Sequence, residues 1–392
     1  MSDASNVGMR DSMPGAGAAA VDLTDDPGPE PPADRPRDRT AWQFRVQARS
    51  CAEMGSPLYG HLLERAAEDC AAGGPTWEAL ATHAGSGRAD ALALRFMAAV
   101  HGLVLEGQAA ELAAHYPSAG GTASLDGAWD AFHHTLTCNA HTVTRLAHRP
   151  CQTNEVGRSA ALAVGFLHVM HQTGLPLRLL EVGASAGLNL RVDGFHIGGG
   201  GVAVGDPDSP VDLSDQWTVP PPHDTDRIEV VSRRGCDRDP VDPTTAEGAL
   251  ALTSSVWADQ RARLDRLRGA IELARRCPAE VDRASLDVWT ERQVRALPVG
   301  CATVVFHSVV SEYLSDATRE RFVAAVRDAG ARATHARPFA WLRLEPISIL
   351  RHHGVELTLW PGGETRTLAR CGAHGADVEW LGDTPDTSRG GP

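Results

Sequence analysis

The chain of 392 residues contains no lysine; all 37 of its basic residues are arginine. Without lysine there is no Schiff-base amine, which excludes ordinary pyridoxal-phosphate chemistry. A P-loop lysine and a protein-kinase β3 lysine are excluded as well. Paired cysteines are also missing. The 8 cysteines, at 51, 70, 138, 151, 236, 277, 301 and 371, include no C-x-x-C, so they read as separate thiols rather than a disulfide or zinc framework. The pairs His133-His134 and His352-His353 lack H-x-x-x-H spacing and read as structural, so no metal is expected. No run approaches the ~20 apolar residues of a membrane span. The start lacks the basic and apolar pattern of a signal peptide. A soluble, cytoplasmic protein is expected. A net charge of −13 disfavours nucleic acid and anionic membranes as partners.

Composition divides what is there. Residues 1–38 are rich in Pro, Gly, Ala and Asp and read as a disordered tail, as do 383–392 at the other end. From 39 to 150, apolar residues recur at three- and four-residue spacing, which predicts a helical N-terminal domain. The stretch "NEVGRSAALAVGFLHVMHQ" predicts one more buried helix, ending at Gly174. After residue 176 the texture changes. Strands are expected at 177–182, 227–231, 278–281, 302–307 and 339–345, with helices at 253–276, 286–297 and 315–329. Such alternation predicts a parallel sheet covered by helices. Two alternating runs around Gly362-Gly363 close the chain as a hairpin. The stretch 191–226 is too long and too rich in Gly, Pro and Asp for a short connection. It reads as an insertion carrying a small hairpin, 195–197 with 202–204, and as a candidate substrate cover.

The most informative run is "RLLEVGASAGLNL", 178–190. It fits G-x-S-x-G, the turn that exposes a hydrolase serine, here Ser185. It also fits an acid followed by a glycine turn, Glu181 with Gly183, Ser185 and Gly187, that lets a cofactor lie against backbone. Context separates the two. The chain before this strand is helical, whereas a hydrolase turn follows several earlier strands. An acid two residues before the first glycine suits S-adenosylmethionine, which is cationic and carries no phosphate. Ser185 then stands where a middle glycine would, which the turn tolerates where φ is negative.

Five stretches, "GSPLYGHLLERAAED", "CQTNEVGRSAAL", "LLEVGASAGLNL", "GDPDSPV" and "VVFHSVVSEYL", resemble a bacterial family known as domain of unknown function 2332, over roughly residues 42–382. The resemblance implies a helical N-terminal domain followed by a methyltransferase-like Rossmann domain at 151–382. It supplies no substrate. The expected fold is therefore α/β, a Rossmann-like class I methyltransferase sheet of five parallel strands plus a terminal antiparallel hairpin.

Further site candidates follow from position. Asn154, Arg158, Asn189 and Ser308 are expected beside the cofactor, and Gln152, Thr153 and Glu155 beside the substrate, although Thr153 or Asn154 could equally cap the next helix. Asp237 or Asp239 would take the ribose hydroxyls, and Asp282 or Asp287 the adenine. His307 at the end of the fourth strand suits a general base, with Tyr313 and Glu312 lining the same crevice. Arg343 and Glu345, ending the fifth strand, are further candidates. The expected function is S-adenosylmethionine-dependent methylation, more at oxygen than at an amino group, of a small molecule or peptide. The rivals are a serine esterase using Ser185 and a non-catalytic Rossmann module that binds a nucleotide or partner.

Overall fold

A computed structural model describes residues 28–87, 90–223, 225–347 and 352–382. Among these, seven α-helices precede the first strand: α1 (Pro36–Glu53), α2 (Pro57–Ala72), α3 (Pro75–Leu80), α4 (Leu92–Leu105), α5 (Ala110–Ala113), α6 (Ala128–Ala147) and α7 (Ser159–Thr173). Their starts and stops follow local chemistry. Proline opens α1, α2 and α3, where its missing N–H costs nothing. Ser56 caps α2 by accepting the Tyr59 N–H, and Gly73, at φ 80°, ends it. The apolar faces of α1 to α6 form one cluster, centred on the rings of Phe44, Phe96 and Phe132. Helix α1 begins inside the stretch expected to be a tail, and Trp42 donates its indole N–H to the Gly28 carbonyl at 2.8 Å. The tail expected at 1–38 is thus shortened; residues 1–27 and 383–392 lie outside the described residues.

The five expected strands are present, two of them displaced along the chain: the one expected at 227–231 begins at Val230 and the one expected at 278–281 begins at Glu280. They are β1 (Leu177–Val182), β6 (Val230–Asp237), β7 (Glu280–Arg283), β8 (Ala302–Ser308) and β9 (Phe339–Pro346), all mutually parallel, in spatial order β7-β6-β1-β8-β9. The hairpin β10 (His353–Trp360) and β11 (Glu364–Cys371) continues the sheet antiparallel to β9. The expectation of seven strands falls short by two. Among the described residues the sheet has nine, because β12 (Val378–Trp380) pairs with β11 and β5 (Trp217–Val219) pairs with β12. Both cover backbone that would otherwise stand as an open edge.

Strand β5 belongs to the insertion, and this corrects its expected role. Residues 191–226 do form the expected hairpin, β2 (His196–Gly199) with β3 (Val202–Val204), joined by β4 (Asp212–Leu213). The insertion is not a cover over the site. Phe195, Ile197, Leu213 and Trp217 are buried in the main core, and Trp217 donates its indole N–H to Ala160 in α7. Its apolar side chains are worth more in the core than over a polar crevice.

The remaining helices divide between the two faces of the sheet. Helix α7 is buried from Ser159 to Val169 and lies so close to β9 that a Cβ on Gly165 would come within 2.2 Å of Leu342. The long helix expected at 253–276 is two, α8 (Ala246–Ser255) and α9 (Arg261–Arg276). Between them Val256 turns extended, and Trp257 and Ala258 plug into the N-terminal helical cluster. Asp259 accepts hydrogen bonds there from Ser56 Oγ at 2.6 Å and Leu58 N at 3.0 Å. Leu180 and Val182 point to the opposite face, where α10 (Leu286–Gln293) and α11 (Asp316–Ala331) cover them. No helix among the described residues is long and apolar enough to cross a membrane.

The junction of helices and sheet carries a titratable group. His101 in α4 is fully buried, with Nδ1 at 3.1 Å from the Ser254 carbonyl and Nε2 at 2.7 Å from Ser118 Oγ. Burial lowers its pKa from 6.5 to about 4. The unfolded chain therefore takes up the proton first as pH falls, so folding loses stability from pH 6.5 down to about 4. Denaturant unfolding across that window is expected to show a loss of about 3 kcal/mol from this residue. His101→Gln should remove that part of the slope, and an unchanged slope would refute the assignment.

Candidate functional site

The chain leaves β1, runs outward through β6 and β7, and returns to β8 on the other side of β1. The reversal opens a crevice at the carboxyl ends of β1 and β8, where open α/β sheets hold ligands. Glu181 sits there, one residue before the end of β1, with only 2 % of its surface exposed. Its Oε2 is buried without a hydrogen-bond partner. Burial raises its pKa well above the usual carboxylate range; the bond from Asn189 and the charge of Arg191 oppose this, and Asp237 adds to it. A buried acid with a spare oxygen is costly unless something meets it.

The loop after β1 is held in left-handed backbone at Gly183 (φ 67°), Ser185 (φ 52°) and Gly187 (φ 65°). At Gly183 glycine is required twice over, since a Cβ would also come within 2.6 Å of Val310 Cγ2. Ser185 corrects the expectation of a negative φ. It is held by its neighbours: its N–H donates to Asp237 Oδ2 at 2.8 Å, and its hydroxyl donates to Gln152 Oε1. Val309 after β8 is strained in the same way, at φ 54°, which is rarer still for a β-branched residue. Left-handed non-glycine residues thus flank the crevice on both sides, and such strain clusters at functional sites.

The segment 152–158 anchors this loop. Gln152 meets Ser185 and donates from Nε2 to the Asp239 carbonyl at 2.9 Å, while Asn154 Oδ1 accepts the Leu188 N–H at 2.9 Å. Glu155 is not available to a substrate. It is buried against Arg263, with Nε to Oε2 at 2.7 Å, and accepts the Gly157 N–H as well. Burial pushes its pKa up, but Arg263, His374 and Arg158 outweigh that and lower it to about 2. Arg158 is half-buried, donates to the Ala373 carbonyl at 3.0 Å and lies within electrostatic reach of Tyr313 and Glu345. Thr153 rests against Cys151 Sγ at 3.3 Å. Asn189 is buried, accepting from Ser159 Oγ at 2.9 Å and bonded to Glu181.

The other candidates separate by what they touch. Both oxygens of Asp237 accept backbone N–H groups, from Ser185 and Asp239, yet a carboxylate keeps further lone pairs and this one is half-buried. Asp239 pairs with Arg283, Asp282 with Arg234 and the Trp289 indole, and Asp287 with Arg321 and Ser285. Each of these three already pairs with an arginine, whereas Asp237 meets only backbone N–H groups. Ser308 is the half-buried last residue of β8. Tyr313 is 42 % exposed; burial and Glu312 raise its phenol pKa.

His307 corrects the expectation of a general base. Its Nδ1 lies 2.7 Å from Glu345 Oε1, and its Nε2 receives the Trp341 indole N–H at 3.2 Å. Indole only donates, so Nε2 holds no proton and Nδ1–H donates to Glu345. Neither nitrogen is left for an acceptor hydroxyl. Glu345 is the more consequential residue. Its Oε1 also accepts the N–H groups of Val310 and Ser311, and its Oε2 is buried without a partner. Trp341 and Val310 carried no polar or glycine signal that could have marked them in the sequence.

A family model matches residues 41–380, that of a family described as an uncharacterized protein conserved in bacteria (DUF2332). No curated protein and no solved structure matches the chain.

The backbone at 185 yields a stability test. Ser185→Ala keeps the left-handed strain and loses the bond to Gln152, whereas Ser185→Gly loses the bond and relieves the strain. Thermal unfolding should place Gly above Ala by about 1 kcal/mol. The reverse order would show that the loop is not held left-handed.

Proposed function

The chain belongs to this bacterial family, whose description carries no reaction, and from the site we infer an S-adenosylmethionine-dependent methyltransferase acting on a small molecule or peptide. One observation carries the reading: the partnerless Glu181 Oε2 at the carboxyl end of β1, beside a left-handed glycine loop at the reversal point of the sheet. A cation is what such an oxygen lacks, and the nearby Arg191 is turned to the Gly187 and Cys277 carbonyls instead. The five parallel strands followed by the hairpin support a Rossmann-like class I methyltransferase sheet, extended here by β12 and β5.

In this reading Glu181 holds the cationic amino-acid end of the cofactor, supported by Asn189. Gly183 and Gly187 let backbone approach the ligand without a Cβ between them. The lone pairs left on Asp237 accept the ribose hydroxyls. When bound, S-adenosylmethionine supplies a methyl group on a sulfonium that departs as a neutral thioether. The protein's contribution is orientation and exclusion of water. With both nitrogens of His307 engaged, the acceptors that fit best are those needing no base, such as a carboxylate.

Calorimetric titration with S-adenosylmethionine tests this. Saturable binding is expected, at least tenfold weaker in Glu181→Gln. Binding a cation favours ionised Glu181, so the complex should release a proton, read as a heat that varies with buffer ionisation enthalpy. Affinity should rise with pH up to the raised pKa of the free carboxyl. No heat at high-micromolar ligand would overturn the reading. Binding without methyl transfer would point to a non-catalytic module.

One observation favours a second reading. The left-handed Ser185 has the strained backbone of a nucleophile turn. Its hydroxyl is bonded to Gln152 rather than to a histidine, which weighs against a hydrolase. Fluorophosphonate labelling that disappears in Ser185→Ala would establish the esterase, and no labelling is the expected result.

A further inference from the structure

A cavity of about 230 Å³ lies on the α10–α11 face of the sheet, at the carboxyl ends of β8 and β9. Leu286, Val310, Phe322 and Trp341 form apolar walls, and Glu345 lines it. We propose that this cavity binds a small amine with an apolar body, its ammonium resting on Glu345.

The charge balance of the lining supports the choice of a cation. Glu345 stays ionised: burial pushes its pKa up, but the bond from His307 and the N–H groups of Val310 and Ser311 outweigh this and hold it low. Oε1 takes all three of those hydrogen bonds, and Oε2 takes none. None of the neighbouring bases cancels the charge. His307 turns its Nδ1 to Oε1 rather than Oε2, and its Nε2 accepts from the Trp341 indole. Arg343 lies 3.4 Å from Glu356 and stacks over Trp341 at 4.0 Å. Arg319 bonds Asp316 and the Ser311 carbonyl, and Arg158 donates to Ala373. A carboxylate with a spare buried oxygen selects a positively charged donor.

The walls set the rest of the molecule. At about 30 Å³ per water, the space admits a ligand of about eight to ten non-hydrogen atoms. Phe322 and Trp341 pack edge to face, with centroids 5.7 Å apart, and form one aromatic wall for an aromatic or branched aliphatic body. Val310 separates the cavity from the glycine loop, since it lines the one and packs on Gly183 of the other. The cavity's preference for an amine does not rest on the methyltransferase reading.

Three probes of similar size test the inference on the full chain: phenethylamine, 2-phenylethanol and phenylacetate, titrated by calorimetry. The amine is expected to bind saturably and at least tenfold tighter than the other two. Glu345→Gln keeps an acceptor oxygen for His307, Val310 and Ser311 but puts an amide N–H₂ in place of Oε2. It should lose that tenfold preference. Val323→Phe, which fills the cavity without touching Glu345, should abolish binding, with thermal unfolding confirming that both variants fold. Absence of saturable amine binding, equal amine binding by Glu345→Gln, or tighter binding of the carboxylate would overturn the proposal. S-adenosylmethionine binding without amine binding would overturn this inference alone. Amine binding without S-adenosylmethionine binding would keep the cavity's ligand and overturn the methyltransferase reading.

Discussion

The buried ion pair between Glu155 and Arg263 is the contact on which the site depends. It joins the segment before α7 to α9, two parts of the chain 108 residues apart. Taking both charges out of water is expensive, so the pair is poor evidence of stability for its own sake. Its consequence is positional. With Glu155 fixed, Gln152 and Asn154 reach the loop after β1 from the side, and each supplies a hydrogen bond that the loop cannot make internally. The left-handed backbone at Ser185 persists because Gln152 and Asp237 both hold it. Arg263 is fixed in turn by Gln260 and by the ring of Trp257, which sits in the helical cluster. The helical part and the sheet are thus coupled through the same few residues that shape the loop.

The crevice has two sides with different chemistry. On the α7–α9 side, Glu181 is a carboxyl whose ionised form burial disfavours. On the α10–α11 side, Glu345 is a carboxylate that hydrogen bonds keep ionised. Alternation along the strands separates them, since Val182 and His307 face one way and Glu181 the other. Val310 stands between, fixed by its own N–H on Glu345 and by the strained Val309 before it. Two carboxyl groups pushed in opposite directions by their surroundings can take up different roles in one site.

Much of the architecture was legible from the sequence. The five parallel strands, the hairpin around Gly362-Gly363 and the small hairpin after residue 195 announce themselves through short-range alternation and turn residues, which depend on neighbours in the chain. The two added edge strands were not legible, because β5 and β12 are three residues each and pair across about 160 positions. The break between α8 and α9 was hidden for a related reason. "SSVWADQ" keeps a helical composition, and only the distant α2 gives Asp259 and Trp257 a reason to leave the helix.

The site divides along the same line. The sequence by itself determined the acid-and-glycine turn at 181–187 and its place after a first strand, because backbone freedom and strand ends are local properties. Only the tertiary structure decided which polar groups remain available. His307 is occupied by Trp341 and Glu345, Glu155 by Arg263, and Asp282 by Arg234, each from a distant part of the chain. Glu181 and Glu345 keep an unmet oxygen. A hydrogen-bonding group is spent or spare according to what the fold brings within about 3 Å of it, and residue type and spacing do not carry that information.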